Sequence, residues 1–107
     1  MAKFNLAPGE QLVGSGAMSL YEKQGLGMKP FQGKIYVTNQ RALFYIDMVK
    51  EPSMELAIGD IKGFSVSKTL MITKVTIHGR NGSAYSFTGF PAKKLQGWLA
   101  DQGVAQL

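Results

Sequence analysis

The hydrophobic period of this chain changes only once. Up to about residue 88, short runs alternate between apolar and polar residues, which is the two-residue period of half-buried β-strands. After Pro91, the apolar residues Leu95, Trp98 and Leu99 follow the i, i+3, i+4 spacing of one helix face. Because a helix this short is marginal alone, its apolar stripe must cover the strands. We therefore predict a mainly β fold of about seven strands, capped by one C-terminal helix.

Glycine, proline and polar clusters divide the β region into its strands. The predicted strands are residues 11–22, 31–37, 42–46, 54–58, 61–68, 72–78 and 84–88. Lys23–Pro30, with two glycines and a proline, is predicted to be a loop, and Asn81-Gly82 is the pattern of a tight hairpin turn. The first eight residues and Val104–Leu107 carry little pattern, so they either dock or stay free. Strands joined mostly by hairpins predict a small antiparallel barrel or sandwich with the helix plugging one end.

The length and the residue inventory exclude whole classes of function. A chain of 107 residues is one domain, 1–107, with a core expected over about 9–103. The absence of cysteine excludes disulfides, thiolate zinc sites, iron–sulfur clusters and cysteine nucleophiles. The single histidine, His78, excludes metal sites built on paired imidazoles, and no carboxylates have a spacing that forces a catalytic pair together. We therefore expect no enzyme, no metal and no cofactor.

The net charge of +5 comes from twelve basic and seven acidic residues. The basic residues are dispersed in runs no longer than two, and only two are arginine, which argues against a nucleic-acid partner. No apolar run approaches the roughly 18 residues of a membrane span, and the N-terminus lacks the apolar core of a signal peptide. Ala2 stands where myristoylation needs glycine. These features favour a cytoplasmic domain, with peripheral membrane attachment as the open alternative.

The motif Gly33–Phe44 reads G-K-I-Y-V-T-N-Q-R-A-L-F. It closely resembles the central hairpin of GRAM domains and related bacterial PH-like domains, in which G-x-L-Y-x-T-N-x-R-hydrophobic-x-F recurs. Glu55–Ile61 and Ile77–Phe87 look like the short strand and last hairpin of that family, and Trp98 matches the tryptophan of its final helix. This resemblance over about 9–103 implies the PH fold: seven antiparallel strands in two near-orthogonal sheets, capped by a C-terminal helix.

The resemblance also implies a binding site. In the PH superfold, the loops joining strands one–two, three–four and six–seven gather at the open end of the barrel. Four cations would meet there around two apolar loop residues: Lys23, Lys29, Lys50 and Arg80 around Leu26 and Met28. Apolar tips ringed by cations fit an anionic headgroup surface. The resemblance thus implies a lipid- or anion-binding rim with a membrane-contacting tip.

Two further features of the sequence bear on which residues would bind an anion. PH domains that bind phosphoinositides use a basic-x-basic pair in the second strand, and here Tyr36 stands two positions after Lys34, which argues against tight inositol-phosphate binding. In the polar turn 38–41, Arg41 is expected to bond a carboxylate or carbonyl of a neighbouring strand rather than a ligand anion.

We expect a non-catalytic module for peripheral attachment to anionic lipid headgroups. The alternative is a protein-interaction or self-assembly module, forming a homo-oligomer without a lipid ligand.

Overall fold

In the described part of the chain, seven antiparallel strands precede one C-terminal helix. A computed structural model describes residues 5–24, 27–68 and 72–107, with the backbone alone described for 22–24 and 27–29. The elements are β1 (Leu12–Gln24), β2 (Gly27–Thr38), β3 (Arg41–Ile46), β4 (Met54–Ala57), β5 (Ile61–Lys68), β6 (Thr73–Gly79), β7 (Ala84–Thr88) and α1 (Ala92–Asp101). A single 3-10 turn, Ile58–Asp60, joins β4 to β5. The predicted mainly β, seven-stranded fold with a C-terminal helix is confirmed.

The strands form one continuous sheet in the order β4-β3-β2-β1-β7-β6-β5. Strand β1 makes this continuity possible because it pairs along its length with β2 and, over Ser19–Tyr21, also with β7. The two near-orthogonal sheets that the PH resemblance implies are therefore hydrogen-bonded to each other through β1, and the described strands form one seven-stranded sheet.

The predicted loop at Lys23–Pro30 is wrong. Strand β1 continues to Gln24 and β2 begins at Gly27, and the register pairs Lys23 with Met28. Glycine and proline weaken a strand locally. Here the neighbouring strand supplies pairing for the backbone, and this tertiary contact outweighs the local signal.

The inner face of the sheet holds the main core. Phe44 of β3 meets Phe87 of β7 with ring centroids 5.3 Å apart, so the core joins strands from both sides of β1. From α1, Leu95 and Leu99 are completely buried, as the helical spacing predicts. Trp98 is partly buried and packs against this core.

The outer face of β2 and β3 carries a second apolar cluster. Tyr36, Leu43 and Tyr45 are each at most 4% exposed, and the two tyrosine rings meet edge to face at 5.9 Å. Burial raises the pKa of the Tyr45 hydroxyl above its usual value. Both faces are therefore covered over residues 35–38 of β2 and 42–45 of β3, whereas Gln32 and Lys34 earlier in β2 stay exposed.

The C-terminal tail docks on the free edge of β5. The amide of Phe64 donates to the carbonyl of Ala105 at 2.9 Å, and the amide of Leu107 donates to the carbonyl of Phe64 at 2.7 Å. Val104 is buried in the core just before this contact. Of the two alternatives for residues 104–107, the structure shows docking, which covers part of an exposed sheet edge.

The hairpin between β6 and β7 is longer than the Asn81-Gly82 pattern predicts. Four residues, Arg80–Ser83, connect the strands, and only Gly82 has a positive φ, of 92°. The amide of Gly82 donates to the carbonyl of Gly79, and the side-chain oxygen of Asn81 accepts from the amide of Ser83. Asn81 thus holds the turn through its side chain rather than through a left-handed backbone.

A glycine in β1 provides the seat for the helix tryptophan. A Cβ added at Gly14 would lie 2.0 Å from Cε2 of Trp98, so Gly14→Ala must displace the indole and should destabilise the fold. Trp98→Ala should cost about 3 kcal/mol, the low end for a large aromatic because Trp98 is partly exposed. In urea denaturation, the double variant should cost clearly less than the sum of the two single changes, since the clash needs both groups.

A glycine on the exposed side of the same helix provides the matched control. A Cβ at Gly97 meets no atom within 4 Å, so Gly97→Ala should stabilise the protein by about 0.5–1 kcal/mol through helix propensity. Additive effects of Gly14→Ala and Trp98→Ala would contradict the packing described here.

The positive φ of Gly82 predicts which substitutions at this position destabilise the protein more. Asparagine tolerates the left-handed region and β-branched valine does not, so Gly82→Val should lower the free energy of unfolding by about 1–2 kcal/mol more than Gly82→Asn. No atom lies within 4 Å of a Cβ at this position, so the difference isolates backbone strain from packing. Equal thermal stabilities of the two variants would show that the backbone here is not constrained.

Candidate functional site

Two of the predicted cations lie at the far end of the β1–β2 hairpin. Lys23 is paired with Met28 in the sheet register, and Lys29 with Glu22. The positions of Lys23, Met28 and Lys29 are therefore close along two adjacent strands rather than spread over a loop. Leu26 lies outside the described residues.

The third predicted cation, Lys50, directly follows two exposed apolar residues in a turn. Lys50 is exposed in the connection between β3 and β4, residues 47–53, directly after Met48 and Val49. Met48 is 97% exposed and adopts a left-handed backbone with φ 67°, and Val49 is 43% exposed. The amide of Val49 donates to the carbonyl of Ile46, which closes the turn and directs Met48 outward.

The exposed apolar pair Met48 and Val49 was not among the predicted site residues. The available signal was two apolar residues placed between the end of a strand and Lys50, where neither belongs to a strand alternation. A non-glycine residue with positive φ is uncommon, and for methionine this conformation is unfavourable. The exposed Met48 therefore stands out as a feature that local packing does not explain.

The fourth predicted cation is held elsewhere. Nε of Arg80 donates to the carbonyl of Gly59 at 2.8 Å, and the amide of Arg80 donates to the carbonyl of Asp60. These contacts attach Arg80 to the turn that follows β4, whereas Lys50 lies in the connection that precedes β4. The four residues of β4 span about 13 Å. The structure thus brings Arg80 to Gly59 and Asp60 and not to Lys50.

The T-N-Q-R turn between β2 and β3 holds the N-terminal segment in place. The amide oxygen of Asn39 accepts from the backbone of Gln11, and its nitrogen donates to the carbonyl of Gly9. The amide nitrogen of Gln40 donates to the carbonyl of Pro8. Each of these side chains bonds backbone, so the motif is explained by structure without a ligand.

Arg41 is the centre of a partly buried polar network. Its guanidinium donates to both carboxylate oxygens of Glu10, at 2.8 and 3.0 Å, and to Oε2 of Glu55 at 3.0 Å. It also donates to the carbonyl of Asn5, and the hydroxyl of Thr38 donates to Glu10 at 2.6 Å. The expectation that Arg41 bonds carboxylates and carbonyls of neighbouring segments is confirmed.

This network shifts the ionisation of Glu10. Hydrogen bonds from Arg41, helped by those from Thr38 and the backbone of Ala7, lower the pKa of Glu10 to about 2, although burial opposes the shift. The hydrogen bond of Arg41 to Glu10, and then its bond to Glu55, raise the pKa of Arg41. Because the Glu10 side chain is fully buried, its charge depends on Arg41 for compensation.

A serine and the single histidine meet on the outer side of β5 and β6. Oγ of Ser65 lies 2.8 Å from Nε2 of His78, a contact between neighbouring strands that sequence spacing did not reveal. In the hydrogen bonds of the described residues, no carboxylate orients His78, so the third group of a Ser-His-acid triad is missing there. Within the same part of the chain, no group of three histidine or acidic side chains could hold a metal ion.

No helix in the described ranges is long and apolar enough to cross a membrane. The sequence matches no protein-family model and no curated protein.

Solved structures match the fold closely. The C-terminal domain of an unknown protein from Leishmania infantum superimposes with a TM-score of 0.69 at 18% identity, covering 89% of this chain and 85% of that one. The human PH domain of pleckstrin homology domain-containing protein family A member 5 gives 0.58 at 14% identity, covering 97% and 86%. The human PH domain of oxysterol binding protein-related protein 11 gives 0.54 at 16%, covering 86% and 77%. At these identities the likeness shows the fold alone, and that fold is PH-like.

The low pKa of Glu10 predicts an acid-sensitive stability. A carboxyl whose folded pKa lies near 2, below its ordinary 4.5, stabilises the fold above pH 4.5 and loses that contribution as pH falls from 4.5 towards 2. Glu10→Gln should lower the free energy of unfolding at pH 7 by about 2 kcal/mol and flatten the loss of stability between those pH values. Urea denaturation at a series of pH values measures both effects.

The exposed Glu51 is the matched control for this change. Glu51→Gln should leave both the stability at pH 7 and its acid dependence close to the parent. If Glu10→Gln retains the parent's acid dependence, the buried pair does not control it.

Proposed function

We propose that this domain is a non-catalytic binding module that attaches peripherally to anionic membrane surfaces in the cytoplasm. The observation that carries the proposal is the β3–β4 connection, where Met48 is almost fully exposed and Val49 is partly exposed immediately before Lys50. Apolar side chains beside a cation suit the boundary between headgroups and acyl chains. The PH-like fold supports a binding role, and the T-N-Q-R hairpin favours the GRAM type within that fold.

The β1–β2 hairpin supplies the second part of the proposed contact. Lys23 and Lys29 occupy nearby positions on its two strands, and the predicted membrane-contacting residue Met28 pairs with Lys23 in the same register. Each cation close to an anionic leaflet contributes about 1 kcal/mol, so three lysines would supply most of the attraction. The apolar residues alone offer too little area to hold the domain on a neutral bilayer.

Whether Arg80 contributes to membrane binding is separate from the contribution of the three lysines. Its hydrogen bonds to Gly59 and Asp60 place it at the other end of β4 from Lys50. If replacing Arg80 weakened membrane binding, the membrane contact would have to extend across that end of the fold. If replacing Arg80 left membrane binding unchanged, the contact would be confined to the β1–β2 and β3–β4 connections.

A protein partner is the second candidate function, and the sheet edge at β4 favours it. Strand β4 is the terminal strand of the sheet on its side, whereas the opposite edge, at β5, is partly covered by the C-terminal tail. An uncovered edge accepts a strand from a partner or from a second copy of the chain. This surface is distinct from Lys50 and Met48, so variants separate the two functions.

Sedimentation with vesicles tests the membrane proposal. The protein should sediment at low salt with vesicles of phosphatidylserine and phosphatidylcholine, and poorly with phosphatidylcholine alone. Each of Lys23→Glu, Lys29→Glu and Lys50→Glu should weaken binding by roughly fivefold or more, since a reversal removes one attraction and adds a repulsion. Added salt should weaken binding further, because the screening length falls to roughly 8 Å at physiological strength.

Lys62→Glu on β5 is the matched control and should change binding much less, because Lys62 is exposed away from both connections. All reversals should keep the parent's thermal stability, since exposed charges contribute little to it. Failure of the parent protein to sediment with either vesicle at low salt would overturn the membrane proposal. Light scattering on the parent and on a β4 variant, Ala57→Pro, would then test the sheet edge, because Ala57 is exposed and its φ of −61° suits proline.

A further inference from the structure

An aromatic side chain in the connection between β7 and α1 is fully exposed. Phe90 is 105% exposed, more than any other large apolar residue in the described ranges. It belongs neither to the strand alternation nor to the helix stripe, so it makes no contribution to the core. A phenylalanine left entirely in water is unfavourable unless another surface covers it.

The backbone around Phe90 is held firmly on both sides. Gly89 lies against β1, where an added Cβ would be 3.1 Å from the carbonyl of Ala17. Pro91 packs over Gly16, since a Cβ there would lie 2.5 Å from Cγ of Pro91. The amide of Ala92 donates to the carbonyl of Gly89 at 3.1 Å, which closes the turn around Phe90. The side chain is therefore presented outward by a fixed turn.

Phe90 forms a ridge between two shallow grooves. The larger groove, of about 580 Å³, extends from Phe90 across β1 and β2 to Asp47, the first residue of the connection that carries Met48. The smaller groove, of about 490 Å³, separates Phe90 from Ile72, which is 52% exposed. The larger groove thus reaches from Phe90 to the residue that precedes Met48, and the smaller groove reaches from Phe90 to Ile72.

The charges around this ridge are mostly positive. Lys34 lines the larger groove and Lys93 the smaller one, and Asp47 is the only acidic residue among the described residues that line them. A protruding apolar residue with cations at its base matches an anionic bilayer, which accepts a ridge without a pocket of matching shape. A protein partner would need such a pocket.

We propose that Phe90 inserts into the headgroup region of an anionic bilayer, while Lys34 and Lys93 contact the lipid phosphates and carboxylates. This inference rests on the proposed membrane attachment and adds a third contact to it. Because one groove joins the bases of Phe90 and the Met48 turn, the two apolar tips enter the same membrane face. The orientation that results places β1 and β2, between those tips, against the headgroups.

A label at position 90 tests insertion directly, because the chain contains no cysteine. Phe90→Cys carries an environment-sensitive fluorophore, and Leu12→Cys serves as the control, since Leu12 is an exposed apolar residue paired with Thr38 at the start of β1 and lines neither groove. With vesicles of phosphatidylserine and phosphatidylcholine, emission from position 90 should shift to the blue and intensify. Emission from position 12 should stay unchanged. Phe90→Ser should weaken sedimentation roughly tenfold, and Leu12→Ser should not.

The outcomes separate this inference from the function on which it rests. If the parent protein sediments with anionic vesicles but the label at position 90 does not respond, Phe90 does not insert, and the membrane attachment stands without it. If the parent does not sediment at all, both proposals are overturned. If Phe90→Ser abolishes self-association in light scattering and leaves sedimentation intact, the ridge is a contact between copies of the chain, and insertion is wrong.

Discussion

The fold depends on strand β1, which pairs with β2 along one edge and with β7 along the other. It is the strand through which β2, β3 and β4 are joined to β7, β6 and β5 in one sheet. The shared segment is short, since only Ser19–Tyr21 pair with β7. Glycines earlier in the same strand admit the indole of Trp98 and the ring of Pro91 against its backbone. One strand therefore positions both the second half of the sheet and the helix that covers the core.

The partly buried network of Arg41 joins a second part of the fold. It connects the N-terminal segment, the β2–β3 turn and β4 through charged hydrogen bonds to Glu10 and Glu55. A buried carboxylate of this kind is tolerated only because each of its oxygens has donors, here from Arg41, Thr38 and Ala7. Because the side chains of the T-N-Q-R motif bond other parts of the fold, the candidate binding residues lie elsewhere, on the β1–β2 hairpin and in the β3–β4 and β7–α1 connections.

Those connections share a physical character. Met48 and Phe90 are held in defined turns yet stay outside every apolar cluster of the described residues. A turn closed by backbone hydrogen bonds keeps an exposed apolar side chain from folding back onto the surface. This arrangement presents apolar tips and lysines together, and it carries both the proposed membrane attachment and the orientation inferred from Phe90.

The sequence by itself determined the number and order of the elements, because alternation and helical spacing reflect which side of each element faces the core. It also determined the roles of Leu95, Leu99 and Arg41, whose partners are dictated by burial and by the need to compensate charge. It did not determine the extent of the β1–β2 hairpin, where pairing with a neighbouring strand outweighs glycine and proline. Nor did it place Arg80 beside Gly59, join Ser65 to His78, or expose Met48 and Phe90. Those relations bring together residues distant in sequence, or leave a residue without neighbours, and only the packing of the whole chain decides either.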